Sequence, residues 1–434
     1  MKKFLILIAV IFTSVTYAQQ GATSPYSFYG IGTLKFKGTV ENQSMGGISV
    51  YSDSIHINLR NPASYAGTNL KSLNNEARPV KYTVGGSQSK ITLKSDSASD
   101  KSSTTSLDYL AIAFPLGKFG AGFGLLPHTS VGYKLQSFDS DNVLQYKYRG
   151  EGGLNKVFIG AGYQLSKDLR IGVDASYNFG NIINTNIAFG YNEQGEMLQY
   201  QTREINRSDL GGLSYNFGLI YTKLLKSNLE FTASATYSPS TELKSNNQRN
   251  FSSVVINTLT NQEFALNSVD IDLNAVGLSN TELKLPSKTS FGFGFGKPRQ
   301  WFAGIDYTFL KASQLTNRLV VIDNSTYEDA STLSIGGFYI PEFDSFNSYW
   351  KRIVYRTGIR FENTGLKINN ELIKEFGISF GLGLPVGRFF SNANLGFEVG
   401  KRGTTTANLV EENFFNFQLS LSLNDRWFEK RKFN

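Results

Sequence analysis

The sequence predicts an all-β protein, a transmembrane antiparallel β-barrel of about fourteen strands with an N-terminal plug (hatch) in its lumen. Three observations predict it. Apolar residues alternate with small or polar ones along most of the chain. Connections alternate between short and long. Aromatic residues gather near strand ends.

The alternation is plainest in four segments. Ile171, Val173, Ala175, Tyr177 and Phe179 are interleaved with Gly172, Asp174, Ser176 and Asn178. Leu229 to Tyr237, Phe376 to Leu384 and Phe415 to Leu423 repeat the pattern. Successive strand side chains point to opposite faces, so each segment has one apolar and one polar face. A soluble sandwich alternates too. Here, however, the polar face is Gly, Ser, Thr and Asn rather than the Lys and Glu that solvate an outer surface. Phe179, Tyr237, Tyr307, Phe309 and Trp427 fit interfacial girdles. The composition agrees: 34 Phe, 22 Tyr and 42 Gly against 10 Pro suit strands and tight turns.

The first eighteen residues read as an address. Lys2 and Lys3 precede the apolar run Phe4 to Phe12 and a small, polar stretch ending at Ala18. That order marks a secretory signal peptide, residues 1–18, cleaved after Ala18. The remainder holds no run of about eighteen apolar residues, so no helix spans a membrane.

Residues 19–78 lack regular alternation and are rich in glycine. They are expected to fold as the plug, because Phe28, Ile31, Leu34, Met45, Ile48 and Val50 offer apolar surface to bury. The competing expectation is a disordered tail. Residues 79–434 form the expected barrel. Short turns fall at Pro115 to Lys118, Ser166 to Asp168, Lys226 to Asn228, Lys297 to Gln300 and Pro385 to Arg388. Longer connections span roughly 95–105, 137–152, 191–200, 244–285, 313–328 and 400–412. Strand centres are expected near 86, 110, 124, 159, 174, 215, 233, 292, 305, 335, 356, 379, 395 and 419. An even count puts both chain ends on the periplasmic side. Parity makes 341–350 a short-side connection that is longer than its counterparts. Closure follows from energetics, since an open sheet edge in hydrocarbon leaves backbone groups unpaired at several kcal/mol each.

In the third strand, Leu125-Leu126-Pro127-His128-Thr129-Ser130-Val131-Gly132 contains a breaker. Proline donates nothing to a ladder. Pro127 therefore either kinks the wall and leaves a gap or ends the strand at the rim.

Chemistry-bearing patterns are sparse. A chain without cysteine excludes disulfides, thiolate metal sites, thiol nucleophiles and a lipoprotein anchor. The net charge of +8 is not concentrated in a basic cluster, which argues against a nucleic-acid partner. His56 and His128 lack a second ligand at zinc spacing. Neither a nucleophile elbow nor a phosphate loop is present. Asp139-Ser140-Asp141-Asn142 lacks the remaining ligands of a Ca²⁺ loop. No cofactor, metal or catalytic residue is expected. His128 near Ser130 is the single pair that would suit hydrolytic rim chemistry. Asp174, Glu230, Asp306, Arg356 and Arg360 are expected to line or lock the lumen.

Ser44-Met45-Gly46-Gly47-Ile48-Ser49-Val50 followed by Asn61-Pro62-Ala63-Ser64 resembles the N-terminal hatch of the FadL/TodX outer-membrane transporters for hydrophobic compounds. The hatch motif here is Met45, Gly46, Gly47, Asn61, Pro62 and Ala63. Ser64-Tyr65 departs from the Gly-Leu of many members. Gly381-Leu382-Gly383-Leu384-Pro385 resembles a late-strand motif of that family. Phe397 to Gly403, Asn424 to Phe428 and Tyr17-Ala18-Gln19 resemble members from Bacteroidota, related to PorV-like barrels. The resemblance implies a fourteen-stranded barrel in the outer membrane, in contact with outer-membrane lipid. It also implies a lateral gate at the kinked third strand, here Pro127, His128 and Gly132.

Two function classes follow. One is passive uptake of a small hydrophobic, fatty-acid-like ligand with lateral exit near the third strand. The other is a non-transporting barrel that acts as a subunit or docking partner of an outer-membrane secretion or assembly complex. The lumen discriminates between them. A transporter needs a continuous apolar pocket leading to the gap, whereas a docking subunit can have a filled lumen and extended loops. The long segment 244–285 could be a lid or a partner-binding arm.

Overall fold

The computed structural model describes residues 23–53, 55–67, 80–96, 98–257, 260, 262–315, 322, 324–386 and 391–425. The expected signal peptide, residues 68–78, and Arg388, Trp427 and Phe428 lie outside the described residues.

Fourteen antiparallel strands close on themselves. They are β1 (Val80–Lys94), β2 (Ser99–Leu116), β3 (Phe119–Pro127 and Thr129–Phe138), β4 (Leu144–Gln164), β5 (Leu169–Ala188), β6 (Gln201–Leu224) and β7 (Glu230–Ser238 and Thr241–Ile256). The circuit continues with β8 (Asn280–Leu285 and Lys288–Lys297), β9 (Trp301–Leu310), β10 (Ser325–Tyr327 and Ala330–Tyr339), β11 (Val354–Ile368), β12 (Glu371–Pro385), β13 (Asn392–Arg402) and β14 (Glu411–Asp425). Closure is the β1–β14 ladder, from Val80 opposite Asp425 to Lys94 opposite Glu411. Every expected strand centre falls in the corresponding strand. The expected alternation is also the observed one. Phe123, Ile159, Val173, Phe217, Phe293 and Phe380 point outward, while Asp174, Ser176, Ser234, Ser290 and Ser379 are buried inside.

The connections correct the reading of several loops. Residues 244–285 are mostly strand: β7 continues to Ile256, a further strand spans Glu263–Ile271, and β8 begins at Asn280. Residues 99–105 likewise belong to β2 and 144–152 to β4. These stretches carry few apolar residues because they lie beyond the apolar band of the wall, where neither face needs to be greasy.

The segment 23–67 runs the length of the lumen. Tyr26 packs beside Leu366, Ile373 and Leu409 at the long-loop end. Tyr65 and Ala66 lie against Gly120 and Gly162 near the short-turn end. The chain therefore enters this segment at the mouth opposite the one where β1 starts and β14 ends. β1 starts and β14 ends at one mouth; the expected periplasmic placement of the two chain ends falls on residues outside those described. Local chemistry explains the turns. Thr39 and Asn42 form a reciprocal cap on the short helix α1 (Val40–Gln43). Gly46 and Gly47 follow at φ of 70° and 89°, a left-handed exit open to glycine. Pro62 opens a 3₁₀ turn, Pro62–Tyr65, for which the Asn61 side chain accepts from the Ala63 N–H.

Candidate functional site in the plugged lumen

The lumen-filling segment meets the wall where the wall has no side chains. A Cβ on Gly336 or Gly358 would overlap the Met45 backbone, and one on Gly172 the Pro62–Ala63 peptide. A Cβ on Gly162 would come within 2.9 Å of the Ala66 nitrogen. Glycine on the inner face is thus required by close backbone approach. The Gly46 N–H donates to Ser379 Oγ at 2.8 Å, and Asn61 Nδ2 donates to the Leu219 carbonyl at 3.2 Å. Met45, Gly46 and Gly47 therefore sit against β10–β12, and Asn61, Pro62 and Ala63 against β5 and β6. The two halves of the motif grip opposite parts of the circuit. Tyr65, the departure from the family pattern, covers Gly122 and Gly160 of β3 and β4.

A buried ionic cluster holds the upper part of the plug. Lys37 Nζ reaches Glu375 at 2.5 Å and Glu362 at 3.1 Å. Arg360 pairs with Glu375 at 2.5 Å and Glu398 at 2.7 Å. Arg402 pairs with Glu375 at 2.5 Å and Glu412 at 3.3 Å. Ser24 Oγ donates to Glu412. The side chains of Glu375 and Glu412 are each 1% exposed, so their charges are met by these partners rather than by water. Sequence reasoning singled out Arg360 here but missed Lys37, Glu362, Glu375, Glu398, Arg402 and Glu412. For three of the four strand carboxylates the signal was available: Glu362, Glu375 and Glu398 occupy inward positions beside an apolar residue on the other face, as in Phe361-Glu362 and Phe397-Glu398-Val399, whereas Glu412 stands between Glu411 and Asn413.

A second anchor lies lower down. Glu41 accepts from Asn394 at 2.7 Å and Ser422 at 2.9 Å. Asp53 meets His56 Nδ1 at 2.7 Å, and Lys81 Nζ caps the carbonyls of Asp53 and His56 at 3.1 and 2.7 Å. Burial pushes the Asp53 carboxyl up, but His56 and Lys81 outweigh it and hold it below the usual carboxylate range. Asp306 accepts from Ser49 Oγ at 2.8 Å. His56 is thus part of a plug anchor, and no metal-ligating cluster of three exists among the described residues.

The third strand breaks where Pro127 stands. The β2–β3 ladder runs only from Leu116 opposite Phe119 to Leu110 opposite Leu125. Beyond it, Ser99–Tyr109 of β2 pairs with β1 alone, and Thr129–Phe138 of β3 pairs with β4 on one edge. The freed edge takes the plug as its partner, with Thr33 opposite Ser130 and Leu34 opposite Thr129. The Lys35 N–H donates to the His128 carbonyl, and the Ser24 N–H to the Gly132 carbonyl, both at 3.0 Å. Pro127, His128 and Gly132 all sit at this split. His128 donates its backbone N–H to Leu154, and its ring makes no hydrogen bond with Ser130 among the described residues.

A family model, BamG, matches residues 1–434. The chain belongs to the BamG family. Among solved structures, this BamG-family barrel is similar to the Pseudomonas putida toluene transporter TodX, at 15% identity and a TM-score of 0.59 over 91% of this chain and 100% of that one. The Ralstonia pickettii toluene transporter TbuX gives 13% and 0.58 over 90% and 99%. A Pseudomonas aeruginosa FadL homologue gives 11% and 0.54 over 91% and 99%. The shared feature is the fold, that of FadL/TodX outer-membrane barrels. No curated protein matches.

The BamG-family lumen retains a cavity of about 110 Å³. Its walls carry the charged Lys35, Lys37, Asp108, Arg360, Glu375 and Arg402, with hydroxyl and amide side chains and the apolar Leu34, Ile91 and Phe414. Burial pushes the Lys35 ammonium down, and the facing Asp108 carboxylate partly offsets this. Such a lining stabilises water and ions. Hydrocarbon placed against those charged groups would strip them of their solvent.

Proposed function

We propose that this chain is an outer-membrane barrel that serves as a non-transporting subunit, docking other components of an outer-membrane assembly or secretion complex. Its short turns and C-terminal strand end face the periplasm, and its long strands stand out at the cell surface. The observation that carries the reading is the occupied lumen. A plug pinned by buried ion pairs leaves a charged cavity where a hydrophobic-compound channel needs a continuous apolar passage. No catalytic constellation or cofactor site enters this reading.

A second reading has its own support. The split between β2 and β3 would let a small hydrophobic, fatty-acid-like molecule leave sideways into the membrane after passive entry. TodX and TbuX are named as toluene transporters.

Native mass spectrometry of the protein, gently extracted from its own outer membrane, separates the two. Stoichiometric protein partners without a small ligand support docking. A lone barrel carrying a lipid-like molecule overturns docking in favour of uptake.

A further inference from the structure

The strand Glu263–Ile271 stands at the long-loop end and pairs on one side only. Its partner is the top of β7, from Arg249 opposite Ile271 to Ile256 opposite Glu263. The far side of that β7 segment is paired with β6, from Asn206 to Gln201. The strand is thus the last of a sheet that continues through β7 and β6 into β5, β4 and β3, and among the described residues its outer edge carries no hydrogen bond to another strand. From Phe264 to Ile271 every residue is solvent-exposed on both faces. Phe264, Leu266 and Val269 are 53%, 56% and 61% exposed. A lid would bury one face against the lumen, so this segment is an arm.

Soluble edges are normally blunted by lysine, proline or an inward charge. This edge has no lysine or proline; a bulge at Leu266 and the charge of Asp270 interrupt it, and Phe264, Leu266, Val269 and Ile271 stand exposed beside backbone groups that no other strand pairs among the described residues. We propose that Glu263–Ile271 is a β-augmentation site that receives an extended strand of a different surface-exposed protein. The proposal rests on the docking reading and specifies where one partner binds.

The geometry rejects a second copy as the occupant. The arm continues the upright wall formed by β6, a single uninterrupted strand over Gln201–Leu224. A two-fold axis that joined two such edges antiparallel would run perpendicular to the sheet, within the membrane plane. It would turn the second barrel upside down, which no shared membrane permits. Charge adds a preference about the guest. Glu263 is already neutralised by Arg203 at 3.4 Å and Arg149 at 3.6 Å. Asp270 and Asp272 at the other end meet no cation among the described residues. A guest strand with apolar residues along its length and Lys or Arg beside Asp270 and Asp272 complements this edge.

The test is backbone amide exchange on the full chain, measured in its natively extracted complex and again as the isolated barrel. We expect amides in 263–271 to exchange about tenfold or more slowly in the complex, while 249–256 are protected in both. The double variant Leu266→Lys, Val269→Lys should lose that partner while the barrel keeps its resistance to unfolding. Equal exchange of 263–271 in an intact complex overturns the proposal and leaves the docking reading standing. A barrel recovered without partners overturns both. Because the chain has no cysteine of its own, Val269→Cys adds a further check: disulfide-linked dimers of two barrels in intact cells would mean that the occupant is a second copy.

Discussion

The plug is held differently on its two sides. Toward β11–β14 it is fastened by side chains: Lys37 to Glu362 and Glu375, Ser24 to Glu412, and Glu41 to Asn394 and Ser422. Toward β3 it is fastened largely by backbone: the Thr33–Leu34 pairing and the bonds from Ser24 and Lys35 to the carbonyls of Gly132 and His128. Side-chain locks can be deleted one residue at a time. Backbone locks survive most substitutions, because any residue supplies an N–H and a C=O. The contrast also shows how the split is partly covered. The plug takes the place of β2 beside β3 from His128 to Gly132, while Ser99–Tyr109 of β2 keeps only β1 as its ladder partner among the described residues.

The largest effect is expected on the side-chain face. Glu375→Gln leaves Lys37, Arg360 and Arg402 buried without their shared carboxylate. The cost should be about 3–5 kcal/mol, seen as a lower heating temperature for unfolding of the detergent-resistant barrel band. A wild-type transition in this variant would mean that the ionic cluster does not hold the plug.

Next comes Asp53. Its folded pKa is depressed, so its contribution is complete above the unfolded value, about 3.9, and is lost as pH falls through the lower folded value. Asp53→Asn should cost about 1–2 kcal/mol at neutral pH. Urea titrations at pH 7 and below pH 3 check this, because the gap between wild type and variant should narrow in acid.

On the backbone face, Ser27→Ala removes the hydroxyl that donates to the Gly132 carbonyl at 3.1 Å and accepts from its N–H at 3.0 Å. The ladder bonds remain, so the loss should stay near 1 kcal/mol. A loss as large as that of Glu375→Gln, measured in the same assay, would erase the distinction between the two sides.

Smallest in stability is Pro127→Val, expected within about 0.5 kcal/mol, since the position already lies at a strand break. It is the sharpest on function. If the split is an exit, the variant should slow uptake of a hydrophobic tracer in cells while assembling normally. Unchanged uptake in a folded variant removes the gate reading and leaves the split as a place where the plug docks.

Strand number and order were legible because lipid and lumen impose opposite solvents on alternate residues. Phe291-Gly292-Phe293-Gly294-Phe295 can be read in only one register. The arm at 263–271 was not legible as strand, since beyond the lipid both faces meet water and the alternation fades. The ionic cluster was only half legible. Arg360 stands out as a charge in an apolar strand, but nothing local says that Lys37, more than three hundred residues away in sequence, shares Glu375 with it.

The sequence by itself determined a closed amphipathic wall of about fourteen strands, its glycine-lined inner face and a weak point at Pro127. These are local periodicities, written in consecutive residues and enforced by the bilayer. The closing ladder fixed the count at fourteen. Only the tertiary structure decided that the plug runs from the far mouth inward, that it replaces β2 beside β3, and that the remaining cavity is charged. Those facts depend on contacts between segments distant in the chain, which become neighbours when the barrel closes around the plug.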